Sequence, residues 1–222
     1  MLAPRNADEA ASHHRINVRW LGLSLGLSLL AFPLDRVVDG ALDVRGQPAW
    51  ENFAWWCSKL GEWWLLGLAG LLAAMVQIWR RRLEMARGIL FVIATAGITG
   101  LAATILRTLI GRTRPSNTAV PQGFYGVWHH GHWIIGRPEF SSFPSGHSAT
   151  VAGLAMAAWL IDRRAGLVAW GFALLVMWAR IATAWHHLSD VVAATVLGVL
   201  GAKIIFGWLT PLLCVWTERF RR

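Results

Sequence analysis

Three short segments of the chain hold residue types that can bind a phosphate and attack it: Arg107–Pro115, Pro144–His147 and Arg180–Asp190. His186 and Asp190 are four positions apart, so on a helix they share a face. A carboxylate beside one imidazole nitrogen fixes the tautomer and supports the cation formed during reaction. His186 is thus a candidate nucleophile with Asp190 as its orienting partner. Taken alone, the pair also reads as an interfacial histidine beside a helix-capping aspartate. The run Pro144-Ser145-Gly146-His147 precedes an apolar stretch. Ser145 fits a helix N-cap, Gly146 lets a ligand approach the backbone, and the free N–H groups of the first turn form an anion site. His147 would stand there as proton donor to a leaving oxygen. By itself this segment also reads as an ordinary helix start.

The arginines complete the set. Arg107 and Arg114 are seven apart, two turns if the helix continues, and Pro115 is expected to break it soon after. Guanidinium forks match phosphate oxygens. The other reading is snorkelling at a membrane surface, which suits Arg112 equally well. Arg180 is harder to explain that way, because Val176, Met177 and Trp178 precede it and Ile181 and Ala182 follow. An arginine at the centre of a span costs about 2.5 to 3.5 kcal/mol on insertion scales. Near a span end it costs less, yet it still calls for a buried partner and suggests function.

The elements that must position these residues are membrane helices. The chain has 222 residues, of which 55% are hydrophobic and 15% charged, with mean hydropathy +0.46. A soluble domain carries about 25% charged residues. Six apolar runs stand out: Trp20–Val38, Trp63–Trp79, Gly88–Leu106, Ser148–Ile161, Gly166–Ala184 and Val191–Leu209. The first contains Asp35 and Arg36, and the fourth reaches spanning length only if its helix begins near Ser145. The expected fold is all-α, a six-transmembrane-helix bundle with a long extracytoplasmic loop between helices 3 and 4. Its parts are a cytoplasmic tail at 1–19, the membrane domain at 20–209 and a basic cytoplasmic tail at 210–222.

The net charge of +9 could suggest nucleic acid, but its placement argues against that partner. Arg5, Arg15, Arg19, the Arg80–Arg82 cluster, Arg87, Arg163, Arg164, Arg219, Arg221 and Arg222 all fall on one side of the six runs. The positive-inside rule then puts both termini in the cytoplasm and all three motifs outside. The first run has no small-x-small cleavage site after it and reads as a retained anchor. Cys57 and Cys214 fall on opposite faces and do not form a pair. Trp50, Trp55, Trp56, Trp63 and Trp64 form an interfacial belt or an acyl contact.

Thr108–Phe143 is rich in Pro and Gly, is too irregular for one long helix, and lies between two motifs where it can roof them. His129, His130 and His132 within it lack nearby Cys or carboxylate ligands, so a lid or interface packing is expected rather than a metal site. Asp162–Ala165 forms a tight hairpin, so the runs on either side pack antiparallel. That returns Arg180 to the membrane face of His147.

The spacing Arg107-x6-Arg114-Pro115, Pro144-Ser145-Gly146-His147 and Arg180-x5-His186-x3-Asp190 resembles the type 2 phosphatidic acid phosphatase superfamily. The family pattern is Lys-x6-Arg-Pro, Pro-Ser-Gly-His and Ser-Arg-x5-His-x3-Asp. Arg107 replaces the usual Lys and keeps its charge; Ala179 replaces the usual Ser and loses a hydroxyl. His187 adjoins His186, but only His186 fits both spacings. The resemblance implies attack by His186, a phosphohistidine, proton donation by His147, and phosphate binding by Arg107, Arg114, Ser145, Gly146 and Arg180, with no metal or other cofactor.

The expected function is hydrolysis of a lipid phosphate: phosphatidylglycerol phosphate, phosphatidic acid, undecaprenyl diphosphate or lipid A phosphate. The alternative is a phosphotransferase that passes the phosphate to a lipid or sugar hydroxyl. A non-enzymatic lipid-binding protein is the third reading. The soluble haloperoxidases of the superfamily are excluded by the apolar runs. The compact chain suits a bacterial inner membrane, with the site facing the periplasm or exterior. Oligomeric state is not legible in the sequence.

Overall fold

The computed structural model describes residues 26–219, with side chains to residue 209. The expected tail at 1–19, the start of the Trp20–Val38 run and the side chains of the 210–222 tail lie outside the described residues. Residues 26–31 are helical and lead into a 3-10 turn, Phe32–Leu34, at Pro33. A short helix α1 (Asp35–Leu42) follows. Proline and the buried carboxylate of Asp35 interrupt what looked like one apolar run.

Next come α2 (Pro48–Leu60) and α3 (Trp63–Trp79), bent by 55° at their junction. The long helix α4 (Leu83–Ile110) ends at Gly111, whose φ of +63° is the left-handed cap that glycine adopts at little cost. Residues 111–145 then hold a small hairpin, β1 (Trp128–His129) against β2 (His132–Trp133), and a 3-10 turn at Pro138–Phe140. Three helices complete the fold: α5 (Gly146–Ile161), α6 (Arg163–Ala182) and α7 (Leu188–Arg219).

The protein is a predominantly helical, multi-pass membrane protein. Among the described residues α4, α6 and the Leu188–Leu209 part of α7 are each long and apolar enough to cross a bilayer, and α2 with α3 passes only as a bent pair. The shorter α5 has 16 residues and sits at the centre of the bundle, against α4, α6 and α7. Its buried face is built of small residues, including Ala149, Ala152, Gly153 and Ala155. A Cβ on Gly198 of α7 would stand 2.7 Å from the Ala152 Cβ, so the two backbones approach to glycine distance. Close packing of small residues is how helices associate where lipid replaces water. Large apolar side chains such as Leu71, Leu72, Met75, Val168 and Leu174 are exposed instead, as a lipid-facing surface requires.

The junction between α5 and α6 is a single residue, Asp162, which caps α6 through the Ala165 N–H at 2.8 Å. The hairpin anticipated from Asp162–Ala165 is therefore present, and the two helices pack closely.

Candidate active site

Ser145 begins α5 as anticipated, accepting from the Ser148 N–H at 3.4 Å and the Ser148 hydroxyl at 2.9 Å. Both bonds use its oxygen as acceptor, which leaves its own proton for another partner. The Ser145 N–H donates to the Asp190 carbonyl at 3.2 Å, tying the start of α5 to the start of α7. Arg107, on the last turn of α4, lies against this corner: a Cβ built on Gly146 would be 3.6 Å from Arg107 Nη1. Its Nε is buried with no partner among the described residues.

Arg114 is not on α4. The helix stops at Gly111, four residues before Pro115, so the two-turn spacing of Arg107 and Arg114 is not a helical one. The left-handed cap turns the chain before proline is reached. Arg114 instead reaches the site from the loop, bonding the Ser141 carbonyl through Nε and Nη2 at 3.4 and 3.3 Å and stacking 4.3 Å from the Trp185 ring. Burial and then repulsion by Arg107 lower its pKa to about 10, and it stays charged at neutral pH.

Arg180 lies 5.0 Å from the same indole. Its expected buried partner is Ser58 of α2, whose hydroxyl accepts from Nη1 at 2.6 Å, while Nε has no partner among the described residues. Ala179, where the family carries Ser, packs against Ala54, Cys57 and Ala182, so Arg180 receives its hydroxyl contact from α2 instead.

His186 follows α6 and is fully buried. Its Nδ1 is 2.7 Å from the Ser142 carbonyl oxygen. A carbonyl only accepts, so Nδ1 carries the proton and Nε2 the lone pair. That Nε2 is buried without a partner among the described residues. The orienting bond differs from the expectation: Asp190 Oδ2 is 3.6 Å from Nδ1, beyond hydrogen-bond reach, and acts through its charge. Burial, only partly opposed by Asp190, lowers the His186 pKa to about 4, so the ring is neutral at pH 7.

Asp190 is itself held by the Ser142 hydroxyl at 2.5 Å, the His187 N–H at 2.8 Å, and Arg112. Arg112 was read as a possible snorkelling side chain, but it is only 7% exposed and paired with both Asp190 and Asp35. Neither Arg112, Asp35, Ser142, Ser58 nor Trp185 was singled out as a site residue by the sequence. The one signal was the presence of Asp35 inside an apolar run.

His147 stands at the head of a cavity of about 630 Å³, lined by Trp63, Trp64, Ile98, Leu101, Arg107 and Gly146 among others. It lies within electrostatic range of Arg180, His186 and Arg107. The cavity lining is mostly apolar, with Glu62, Arg107 and His147 as its ionisable members. His129 meets His130 edge-on at 4.0 Å and Tyr125 edge-on at 4.3 Å, and none of His129, His130 and His132 lines the cavity.

Residues 86–213 match the PAP2 superfamily, more than half of the chain, and the protein belongs to that family. Curated relatives include the lipid A 1-phosphatases of Rhizobium etli, 30% identical over 125 residues, and of Rhizobium johnstonii, 33% identical over 104 residues. Those matches cover 56% and 47% of this chain and 48% and 41% of the relatives. A probable lipid phosphate phosphatase 4 of Arabidopsis thaliana is 28% identical over 133 residues, 49% of this chain and 43% of that relative. The chain thus spans about half the length of the curated relatives it matches.

Among solved structures, the fold is similar to the transmembrane PAP2 type phosphatidylglycerolphosphate phosphatase of Bacillus subtilis. The TM-score is 0.62 at 21% identity, covering 88% of this chain and 96% of that one. LpxE of Aquifex aeolicus superposes with TM-score 0.52 at 16% identity, covering 80% and 94%.

Proposed function

We propose that this protein is a membrane phosphatase that removes a phosphate from a lipid through a phosphohistidine on His186. One observation carries the reading: His186 Nε2 is buried without a partner among the described residues, within electrostatic range of Arg180 and Arg114, which are themselves within range of Arg107. Among the described residues the Nε atoms of Arg107 and Arg180 have no hydrogen-bond partner, the Arg114 guanidinium bonds one carbonyl and lies on an indole, and carboxylates such as Glu62 and Glu139 act on Arg180 and Arg114 only at a distance. A phosphoryl group would satisfy all of them. Positioned charge of this kind is usually the largest catalytic contribution.

In the first step Nε2 attacks phosphorus, the bond from phosphorus to the lipid oxygen breaks, and His147 gives that oxygen its proton. Nδ1 keeps its proton and goes on donating it to the Ser142 carbonyl while Asp190 stabilises the positive ring. In the second step water attacks the phosphohistidine, its proton passes to His147, and phosphate leaves. The guanidinium groups, the Ser145 hydroxyl and the Gly146 N–H hold the equatorial oxygens. Three guanidinium groups supply the charge that Mg²⁺ supplies in other phosphoryl transfers.

The apolar cavity beside His147 would receive the lipid part of the substrate, on the leaving-group side. Lipid A 1-phosphate comes first among the candidates because two relatives bear that activity in their names. Phosphatidylglycerol phosphate, phosphatidic acid and undecaprenyl diphosphate share the same terminal chemistry. The arginine bias supports six spans, both termini in the cytoplasm, and a site facing the periplasm or exterior of a bacterial inner membrane. The test is phosphate release from each lipid in detergent micelles, with and without His186→Ala. Turnover of at least one lipid by the wild type and none by the variant is expected; full activity in His186→Ala would remove the nucleophile. A second reading, transfer to a lipid or sugar hydroxyl, uses the same site and is distinguished by following labelled phosphate into product.

A further inference from the structure

Among the described residues the Arg112 side chain bonds Asp190, Ser189 and Asp35 and none of the proposed phosphate-binding groups. Its guanidinium is buried against the rings of Phe32, Phe124 and Phe143, with centroids 4.9, 5.1 and 5.9 Å away. Its two terminal nitrogens point to different carboxylates: Nη1 to Asp190 and to the Ser189 hydroxyl at 2.7 Å, Nη2 to Asp35 at 2.7 Å. Asp35 also accepts from the Ser189 N–H at 2.8 Å and the Ser189 hydroxyl at 2.7 Å. The Arg112 carbonyl takes the Ser142 N–H at 3.0 Å, and Ser142 in turn holds both His186 and Asp190.

We infer that Arg112 is a positioning residue for the reaction, braced by Asp35 so that it fixes Asp190 without neutralising it. This rests on His186 being the nucleophile. The charge count gives the reason. One guanidinium facing Asp190 alone would cancel it. Shared between two buried carboxylates, the cluster keeps one net negative charge beside His186, where a positive ring develops. Fork geometry also matters, because an ammonium on a lysine stem cannot present two parallel N–H groups to separate carboxylates.

Asp39 offers a control. It grips the same turn through the Leu188 N–H at 3.2 Å and His187 Nδ1 at 2.6 Å, but reaches neither Arg112 nor Asp190. If the carboxylates of α1 merely anchor that helix, Asp35 and Asp39 are equivalent. If Asp35 acts through Arg112, they are not.

The experiment compares Asp35→Asn, Arg112→Lys, Asp39→Asn and His186→Ala in the full chain purified in detergent, using dioctanoyl phosphatidic acid micelles and vanadate as probes. Asp35→Asn is expected to lower kcat about tenfold or more, with KM and vanadate inhibition unchanged within about threefold. Arg112→Lys is expected to fall further in kcat in the same pattern, and Asp39→Asn to keep kcat within about threefold. Ser189→Ala, which removes only the bridging hydroxyl, gives a smaller fall in kcat and serves if Asp35→Asn does not fold. Equal losses in Asp35→Asn and Asp39→Asn would overturn the inference, as would wild-type kcat in Asp35→Asn. So would KM and vanadate inhibition weakening in step with kcat. An active His186→Ala would instead overturn the reading beneath it, whatever the other variants do.

Discussion

His186 and Ser142, 44 positions apart in sequence, are joined by a 2.7 Å bond from the imidazole Nδ1–H to the serine carbonyl. A backbone carbonyl does not ionise, so it fixes the ring and, as long as the ring is neutral, its tautomer. With Nδ1 so occupied, the lone pair falls on Nε2, which is buried without a partner among the described residues, in a ring within electrostatic range of Arg180 and Arg114.

The pH dependence of activity follows. Burial first, then Arg180, lower the His186 pKa from 6.5 to about 4, against the opposing pull of Asp190. With His186 as the proposed nucleophile the reactive form is the neutral ring, so the enzyme's own limb in kcat/KM should appear as pH falls towards about 4. The substrate phosphate ionises near pH 6 and adds its own limb. Profiles for two substrates with different phosphate pKa values separate the two, because only the substrate limb moves. The sign for stability is the same. Between about 6.5 and 4 the unfolded chain binds a proton that the folded one excludes, so stability falls as pH drops through that window. An enzyme limb fixed near 6.5 would mean that the ring is solvated.

Ser58 gives a second prediction. Its hydroxyl is the one side-chain hydrogen-bond partner of Arg180 among the described residues, at 2.6 Å. Hydrogen bonds to charged groups contribute about 1.5–3 kcal/mol. Ser58→Ala should therefore lower kcat/KM by about tenfold or more, mostly through KM if the arginine binds phosphate equally in ground and transition states. Steady-state kinetics in micelles decide this, and a wild-type KM would show that the Trp185 stack is enough to hold Arg180.

What the sequence conveyed divides along a physical line. Local patterns were legible: the apolar run Trp63–Trp79 coincides with α3, and Ser145 caps α5 because its side chain answers its own helix. The family was legible because the spacing of the motif residues resembles its pattern, and the proposed site residues follow from that resemblance. Arg112 was not, since a buried arginine and a snorkelling one have the same neighbours in sequence. Its partners Asp35 and Asp190 lie 77 and 78 positions away on opposite sides. Ser142, Ser58 and Trp185 act through contacts that only packing creates. Asp35 left a trace, a carboxylate inside an apolar stretch, and that trace is the kind that marks function in membrane helices.

Gly111 carries a prediction about the fold that delivers these groups. Its φ is +63°, and a Cβ there would stand 1.8 Å from the Gly126 carbonyl oxygen. Neither backbone can yield, because the Tyr125 and Gly126 N–H groups bond the Gly111 and Ile110 carbonyls at 3.0 and 3.1 Å. Gly111→Ala should cost more than about 2 kcal/mol through strain and clash together. The readout is the unfolding midpoint in detergent. Activity should fall with it, because the turn sets the direction from which Arg112 and Arg114 enter.

Gly97 tests the cavity rather than the chemistry. A Cβ at Gly97 would lie 2.2 Å from Trp63 Nε1, and both residues line the cavity headed by His147. Unlike the Gly111 case, the obstructing atom belongs to a side chain that can swing. Gly97→Ala should therefore fold and push the indole into the cavity, narrowing it. If the lipid part of the substrate occupies that space, kcat/KM for long-chain lipid phosphates should fall by about tenfold, while a short-chain or water-soluble phosphate ester changes little. The ratio of the two specificity constants is the measurement, since a general loss of folded enzyme cancels in it. An unchanged ratio with an otherwise active enzyme would place the lipid chain elsewhere, along the outer faces of α3 and α4.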